Sequence, residues 1–321
     1  MNPPTLDEIK STGNAIRENV GKVIVGKNDV VDLALVALLC EGHILFEDIP
    51  GIGKTTMAKA LARSLNCAFR RIQFTPDLLP SDVTGLSVYN QKTQEFEYRP
   101  GPLMAQIVLA DEINRATPRT QSALLEAMQE RQITVDGATK PLPRPFLVLA
   151  TQNPIELEGT FPLPEAQIDR FFMRLALGYP SEAEESAILL RFARDEPLET
   201  LSAVVDADAI TAMQRAVWTV RVEASVREYV IAIARATRVH ASVELGASPR
   251  GSLYLYRAAQ AFAALRGREF VLPDDVKYLA PFVLTHRLIL SAQTRLRGRD
   301  VNQIIKEVIE SVPVPVEEIS G

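Results

Sequence analysis

The chain has 321 residues, more than one compact core usually holds and enough for two domains. Apolar residues make up 47% and charged residues 23%, the balance of an ordinary globular protein rather than a disordered one. The net charge of −5 argues against a chain that lives on bare nucleic acid, which is more often basic.

The first residues, MNPPTLDEIK, lack the basic-then-apolar stretch of a signal peptide, and no apolar run approaches the ~20 residues that span a bilayer. A cytoplasmic location is therefore expected. Residues 31–40, VDLALVALLC, read as a helix. His43 to Phe46 is a short apolar strand that ends at a glycine-rich turn, and KTTMAKALARSLN follows with Met57, Leu61 and Leu65 on one helical face. Cys40 and Cys67 lie in apolar surroundings and read as packed thiols in a reducing compartment, and three histidines leave little material for a zinc site.

Further strands fit Arg70 to Phe74, Gln106 to Ala110 and Phe146 to Ala150. The second of these is apolar on both faces, as a buried parallel strand should be. Strands alternating with helical stretches predict an α/β fold, a parallel sheet with helices on both sides. Two interruptions predict hairpins that decorate this sheet. One spans Ser87 to Tyr98. The other, about 132–142, carries Asp136-Gly137, a strong signal for a tight turn.

Near residue 180 the strand signals nearly vanish. Val226, Tyr229, Val230 and Ile233 repeat at helical spacing, with Ser225 as the expected N-cap. SPRGSLYLYRAAQAFAALRG predicts a helix capped by Ser248, with Pro249 at its first position and Gly267 at its end. A last helix over LPDDVKYLAPFVLTHRLIL is expected to kink or split at Pro281. The expected division is an α/β core over 1–179 and a smaller all-helical domain over 180–321.

The chemistry begins with EDIPGIGKTT, Glu47 to Thr56. Gly53, Lys54 and Thr55 fill the end of the P-loop pattern G-x-x-x-x-G-K-[ST], while Asp48 stands where the leading glycine belongs. Backbone N–H groups of such a loop wrap phosphates, and Gly51 and Gly53 let the chain curl close to them. Lys54 is expected to bridge the β- and γ-phosphates and the Thr55 hydroxyl to hold Mg²⁺. Asp48 is expected to turn away from the phosphates, because a bare carboxylate facing them would be strongly repelled.

In IVLADEINR, Asp111 ends a buried strand and is placed to hold Mg²⁺ through water, and Glu112 is placed to polarise the attacking water. An adjacent acid pair separates this pattern from small-molecule kinases. The base-reading Asn-Lys-x-Asp of a signalling GTPase is absent, the nearest string being NQKT at Asn90. Asn153, in LATQNP, ends the next strand with an amide that can reach the γ-phosphate and the water together.

The set DIPGIGKT, LADEINRA, ATQNP, LPEAQIDRFF and ASPRG, in this order, resembles the MoxR family of AAA+ ATPases, and the likeness runs from about Val23 to the last helices. That resemblance implies a P-loop core followed by a helical lid, with ATP and Mg²⁺ as ligands. It implies that Asn153 is the sensor-1 residue, that Arg170 is an arginine finger reaching the neighbouring subunit's γ-phosphate, and that Arg250 is sensor 2 on the lid. It implies adenine contacts from Ile24, Val25 and Gly26, and a phosphate loop of Pro50, Gly51, Ile52, Gly53, Lys54, Thr55 and Thr56. It matches the two hairpins to the helix-2 insert and to the hairpin before sensor 1. It further implies a homo-oligomer, a hexameric ring, that matures partner proteins, commonly with a protein carrying a von Willebrand factor A domain.

Arg250 falls in the first turn of its helix, where the helix dipole disfavours a cation, and a placement against that preference hints at a phosphate contact. Other readings are a helicase-type nucleic-acid motor, a magnesium-chelatase ATPase subunit, and a nucleotide-dependent scaffold that does not hydrolyse. The hairpins' Lys92, Arg99 and Lys140 are offset by Glu95, Glu97 and Asp136, so nucleic acid is not the expected partner. The long arms of a chelatase subunit are not evident, and Glu112 with Arg170 argues against a passive scaffold.

Overall fold

The computed structural model describes residues 3–153, 159–193 and 196–315. Helices α1 (Leu6–Gly21) and α2 (Asn28–Leu39) precede the first strand, β1 (Ile44–Glu47). The P-loop leads into α3 (Lys54–Ser64), β2 (Phe69–Gln73) and a short α4 (Pro80–Thr84). Strands β3 (Gly85–Asn90) and β4 (Glu95–Pro100) form the first hairpin, and β5 (Ile107–Asp111) and α5 (Pro118–Glu130) follow it. The second hairpin is β6 (Gln132–Val135) with β7 (Ala138–Pro141), and then come β8 (Leu147–Gln152), α6 (Glu165–Ile168) and β9 (Met173–Leu175). The remainder comprises α7 (Glu182–Phe192), α8 (Ala207–Ala216), α9 (Ala224–Val239), β10 (Val243–Leu245), α10 (Pro249–Leu265) and α11 (Pro273–Leu284). It ends with β11 (Ile289–Leu290), α12 (Ala292–Leu296) and α13 (Val301–Ser311).

Five strands make one sheet in the order β2-β5-β8-β1-β9, and every pairing in it is parallel. The period of two along each strand divides its residues between two cores. Ile44, Phe46, Ile107, Leu109, Leu147 and Leu149 face one. Leu45, Val108, Ala110, Val148 and Ala150 face the other. The first core continues through α2 and α3 into α10 and α11, so the helical part shares its interior with the sheet. Parallel strands put all their carboxyl ends on one edge, and β1, β5 and β8 end there side by side.

Both expected hairpins stand apart from the main sheet as two-stranded units. The second turns on Asp136 (φ 51°) and Gly137 (φ 78°), the two left-handed positions of a type I′ turn. Several expectations need correction. Strand β9 was not foreseen, because three residues carry too little period to stand out. The C-terminal part is not purely helical, since β10 and β11 pair antiparallel. Helix α9 starts at Ala224 with Glu223 at the N-cap, so Ser225 already lies inside it. Pro281 sits within α11, which runs on without a split. Ser248 does occupy the N-cap of α10, but its hydroxyl does not cap the helix.

His43 ties the sheet to α5. Its Nδ1 accepts from the Val148 N–H at 3.0 Å, and Nε2 lies 3.0 Å from the Met128 carbonyl, so the proton resides on Nε2. Burial pushes its pKa down from 6.5 to about 4. A neutral histidine held this way stabilises the fold fully above pH 6.5, and the contribution is lost as the pH falls towards 4. We expect this residue alone to make unfolding about 2 kcal/mol easier at pH 5 than at pH 7. His286, half-buried and held well below its ordinary value by desolvation and by Arg287, adds a slope of the same sign. Denaturant titrations at the two pH values check this: His43→Gln should flatten the slope, and an unchanged slope would contradict the assignment.

Candidate functional site

The chain turns from β1 into the P-loop at Asp48. Gly51 (φ 83°) and Gly53 (φ 94°) hold left-handed backbone there, and a Cβ built on either meets nothing within 4 Å. The cradle is therefore open on the side where phosphate would lie, and its backbone is shaped for glycine. Lys54 opens α3, and its ammonium donates to the carbonyls of Asp48 (2.9 Å) and Ile49 (3.0 Å). Burial lowers the Lys54 pKa, while the carboxylates of Asp48, Asp111 and Glu112 oppose that shift.

Pro50, Gly51, Gly53, Lys54, Thr55 and Thr56 line one pocket of about 360 Å³. Asp111, Glu112 and Asn153 line the same pocket from the ends of the neighbouring strands. The sequence expectations for Lys54, Thr55, Asp111, Glu112 and Asn153 thus meet in one place. The hydroxyl of Thr151 donates to Asp111 Oδ1 at 2.6 Å and accepts from the Glu112 N–H at 2.8 Å. Glu112 is itself left-handed (φ 57°), an uncommon state for a side chain with a Cβ and one that recurs at functional sites. Its Oε2 accepts from Gln73 Nε2 at 2.8 Å and pairs with Arg115 Nε at 3.2 Å.

Sequence reasoning missed Thr151, Gln73, Arg71 and Arg115. Arg71 and Gln73 were detectable in principle, since they alternate with buried Ile72 along β2 and so share its other face.

A second cleft, about 550 Å³, adjoins the P-loop and shares Pro50, Gly51, Gly53 and Thr56 with the first. It is mainly apolar, lined by Ile24, Val25, Ile52, Tyr179, Leu189 and Phe192 among others. A polar phosphate pocket opening into an apolar slot suits a nucleotide, charged at one end and flat at the other. Gly26 does not line the slot. It packs under Glu184, whose Oε1 would lie 1.6 Å from an added Cβ.

The donor set also fits the metal. Thr55 and Asp111 are hard oxygen donors in the same pocket, and among the described residues no group of three His, Cys, Asp or Glu side chains is placed to hold a metal alone. One carboxylate plus substrate phosphates is how Mg²⁺ is usually held.

The two arginines lie elsewhere. Neither Arg170 nor Arg250 lines the phosphate pocket. Arg250 Nη1 pairs with Asp169 Oδ2 at 3.3 Å, so the anion that offsets its place in the first turn of α10 is this carboxylate. The Ser248 hydroxyl donates to the same carboxylate at 3.2 Å, which is why it does not cap the helix. Arg287, 6% exposed, closes the group through Nε at 2.9 Å from Oδ1. The Asp169 carboxylate is given to these three, and it makes no ion pair with its neighbour, half-buried Arg170. Pro154, which ends one of the quoted motifs, lies outside the described residues.

Asp48 points neither into the cradle nor into solvent. Its Oδ1 accepts from the Ile49 N–H at 3.0 Å and its Oδ2 from the Gly178 N–H at 2.8 Å. Gly178 lies between β9 and α7, on the passage to the helical part.

A parallel sheet with a P-loop after β1 and an acid pair after β5, followed by a helical lid, defines a P-loop ATPase of the AAA+ class. Residues 43–173 match the "ATPase family associated with various cellular activities (AAA)", and residues 235–308 match the "AAA lid domain". The chain is 55% identical to an uncharacterized protein, YeaC, of Bacillus subtilis over 95% of each chain. It is 42% identical to Chaperone MoxR1 of Mycobacterium tuberculosis, over 96% of this chain and 83% of the relative. The crystal structure of a putative ATPase from Cytophaga hutchinsonii superposes with a TM-score of 0.91 at 38% identity, over 97% of both chains. The chain belongs to the MoxR family of AAA+ ATPases.

Asp48→Ala removes both acceptors and should lower the melting temperature by roughly 3–5 °C, from hydrogen bonds to a charged group each worth ~1 kcal/mol or more. Asp48→Asn keeps an acceptor for one of them and should lose less. Equal shifts in thermal melts of the two variants would rule out hydrogen bonding as the role of Asp48.

Proposed function

We propose that this protein hydrolyses ATP with Mg²⁺ at a site completed by a neighbouring subunit of a six-membered ring, and that it uses the cycle to remodel partner proteins. The observation that carries the ATPase reading is the meeting of Lys54, Thr55, Asp111, Glu112 and Asn153 in one pocket beside an apolar slot. The proposed division is an α/β core to residue 179 and a lid from residue 180.

The roles follow from the chemistry of the side chains. Lys54 leaves the loop carbonyls and lies along the β- and γ-phosphates. Thr55, and Asp111 through water, would hold Mg²⁺, which when bound would neutralise charge on the phosphates. Glu112 accepts a proton from water as that water attacks the γ-phosphorus, and ADP departs with the bridging oxygen. The Asn153 amide orients the water and the γ-phosphate. Ile24 and Val25 lie against adenine, whereas the position of Gly26 under Glu184 favours a role in shaping the slot.

Two observations support a site shared between subunits. The Arg170 guanidinium is not taken up by Asp169, and Arg250 is held on the lid by that same carboxylate, outside its own phosphate pocket. The remodelling reading rests on the family and on a relative whose name is chaperone. A partner with a von Willebrand factor A domain is the class the family suggests. The β3–β4 hairpin suits client contact, because Phe96 and Tyr89 stand 73% and 49% exposed with their rings 5.3 Å apart.

Phosphate release from ATP tests the proposal. Glu112→Gln should keep ATP binding and lose about 10²–10⁴ in rate. Arg170→Ala should do likewise, with a loss of about 10³ or more. Mixed, the two variants should recover part of the activity, since each supplies what the other lacks. Failure of the mixture at concentrations where rings form would exclude a finger acting in trans.

A further inference from the structure

The phosphate pocket contains a cation that the roles above leave without a task. Arg71 stands on β2, next to β5, and lines the pocket with Lys54 and Thr55. Its Nε and Nη2 lie 3.0 and 2.7 Å from Asp111 Oδ2. The same Nη2 donates to Gln73 Oε1 at 2.7 Å, and Gln73 Nε2 in turn donates to Glu112 at 2.8 Å. Asp111 Oδ1 is taken by the Thr151 hydroxyl at 2.6 Å. Both oxygens of the carboxylate assigned to Mg²⁺ are therefore engaged, one of them by a fixed positive charge.

The two holds differ in kind. Thr151 is 2% exposed and bonded on both sides, so Oδ1 stays where it is. The Arg71 side chain is 48% exposed, and ion pairs so open to water are weak and exchange readily. A hydrated Mg²⁺ approaching Asp111 meets Arg71 at Oδ2, with a lone pair of Oδ1 left beside the Thr151 bond, and two cations at a single carboxylate repel. Once displaced, a guanidinium in this pocket has phosphate oxygens as its natural partners, since its flat fork matches them.

We propose that Arg71 is a resident counter-cation of Asp111, exchanged for Mg²⁺ when metal and nucleotide bind together, and that it thereby sets the Mg²⁺ concentration at which nucleotide is held. Arg71 is a positioning residue in this scheme. It acts through Asp111 and, by way of Gln73, through Glu112. The inference rests on the Mg²⁺-ATP reading of the pocket.

The test is binding, not turnover. A fluorescent ADP analogue is titrated into the full-length protein over a range of buffered free Mg²⁺, for wild type, Arg71→Ala and Arg71→Lys. Arg71→Ala should lower the Mg²⁺ midpoint by about 10-fold, within the usual size of coupling between two ligands. Arg71→Lys, which keeps the charge without the fork, should fall between. If wild type fails to bind the analogue at any Mg²⁺ concentration, the nucleotide reading itself is wrong. If wild type binds and Arg71→Ala has the same midpoint, only the Arg71 proposal falls. A variant that loses affinity equally with and without Mg²⁺ marks Arg71 as a structural residue and overturns the proposal as well.

Discussion

One hydroxyl holds the acid end of the site together. Thr151 Oγ1 donates to the Asp111 carboxylate and accepts the Glu112 N–H, from a position 2% exposed to solvent. A valine of the same shape would leave a carboxylate oxygen and an N–H without partners in a partly buried place, which costs far more than the bonds contribute. The bond also fixes the left-handed turn at Glu112. Because β5 and β8 are parallel neighbours, this link between their ends sets where both carboxylates stand relative to the P-loop. Asn153 follows two residues after Thr151 and so inherits the same placement.

A second knot, at Asp169, organises the other arginines. It joins the short segment before β9 to α10 through Ser248 and Arg250, and to the stretch after α11 through Arg287. A buried guanidinium needs such a partner, since an unpaired charge at 6% exposure would be strongly destabilising. The core shared between the sheet and α10 and α11 supplies area, and the Asp169 group supplies direction. Arg170, one residue along and half-buried, follows directly on this firmly held support.

The parts of the molecule legible in the sequence share a cause. Strands such as Ile107–Asp111 are apolar on both faces, and the loop of Gly51, Gly53, Lys54 and Thr55 answers to a ligand whose chemistry restricts residue type. Local pattern suffices there. The Asp136-Gly137 turn was legible for the same reason, since few residues tolerate its backbone. What stayed hidden depends on partners distant in sequence. The Ser248 hydroxyl looks like a cap until Asp169, 79 residues away, is beside it. Arg71 meets Asp111 across 40 residues, and the alternation along β2 marks the face it occupies but not the partner it finds there. The strands β9 and β10 are too short for periodicity, and only their neighbours make them strands.

The aspartate at the head of the P-loop has a consequence for how the chain assembles. Its second oxygen is satisfied by Gly178, a residue 130 positions later. Contacts of such separation form after local ones, because a long loop must be closed first. A chain emerging from the ribosome can lay down β1 and α3 early, yet the mouth of its nucleotide loop gains its last backbone partner only when β9 has joined the sheet. Completion of the binding loop thus reports that the whole α/β layer is in place, and a chain cut short before Gly178 carries every P-loop residue with the loop's opening unfinished.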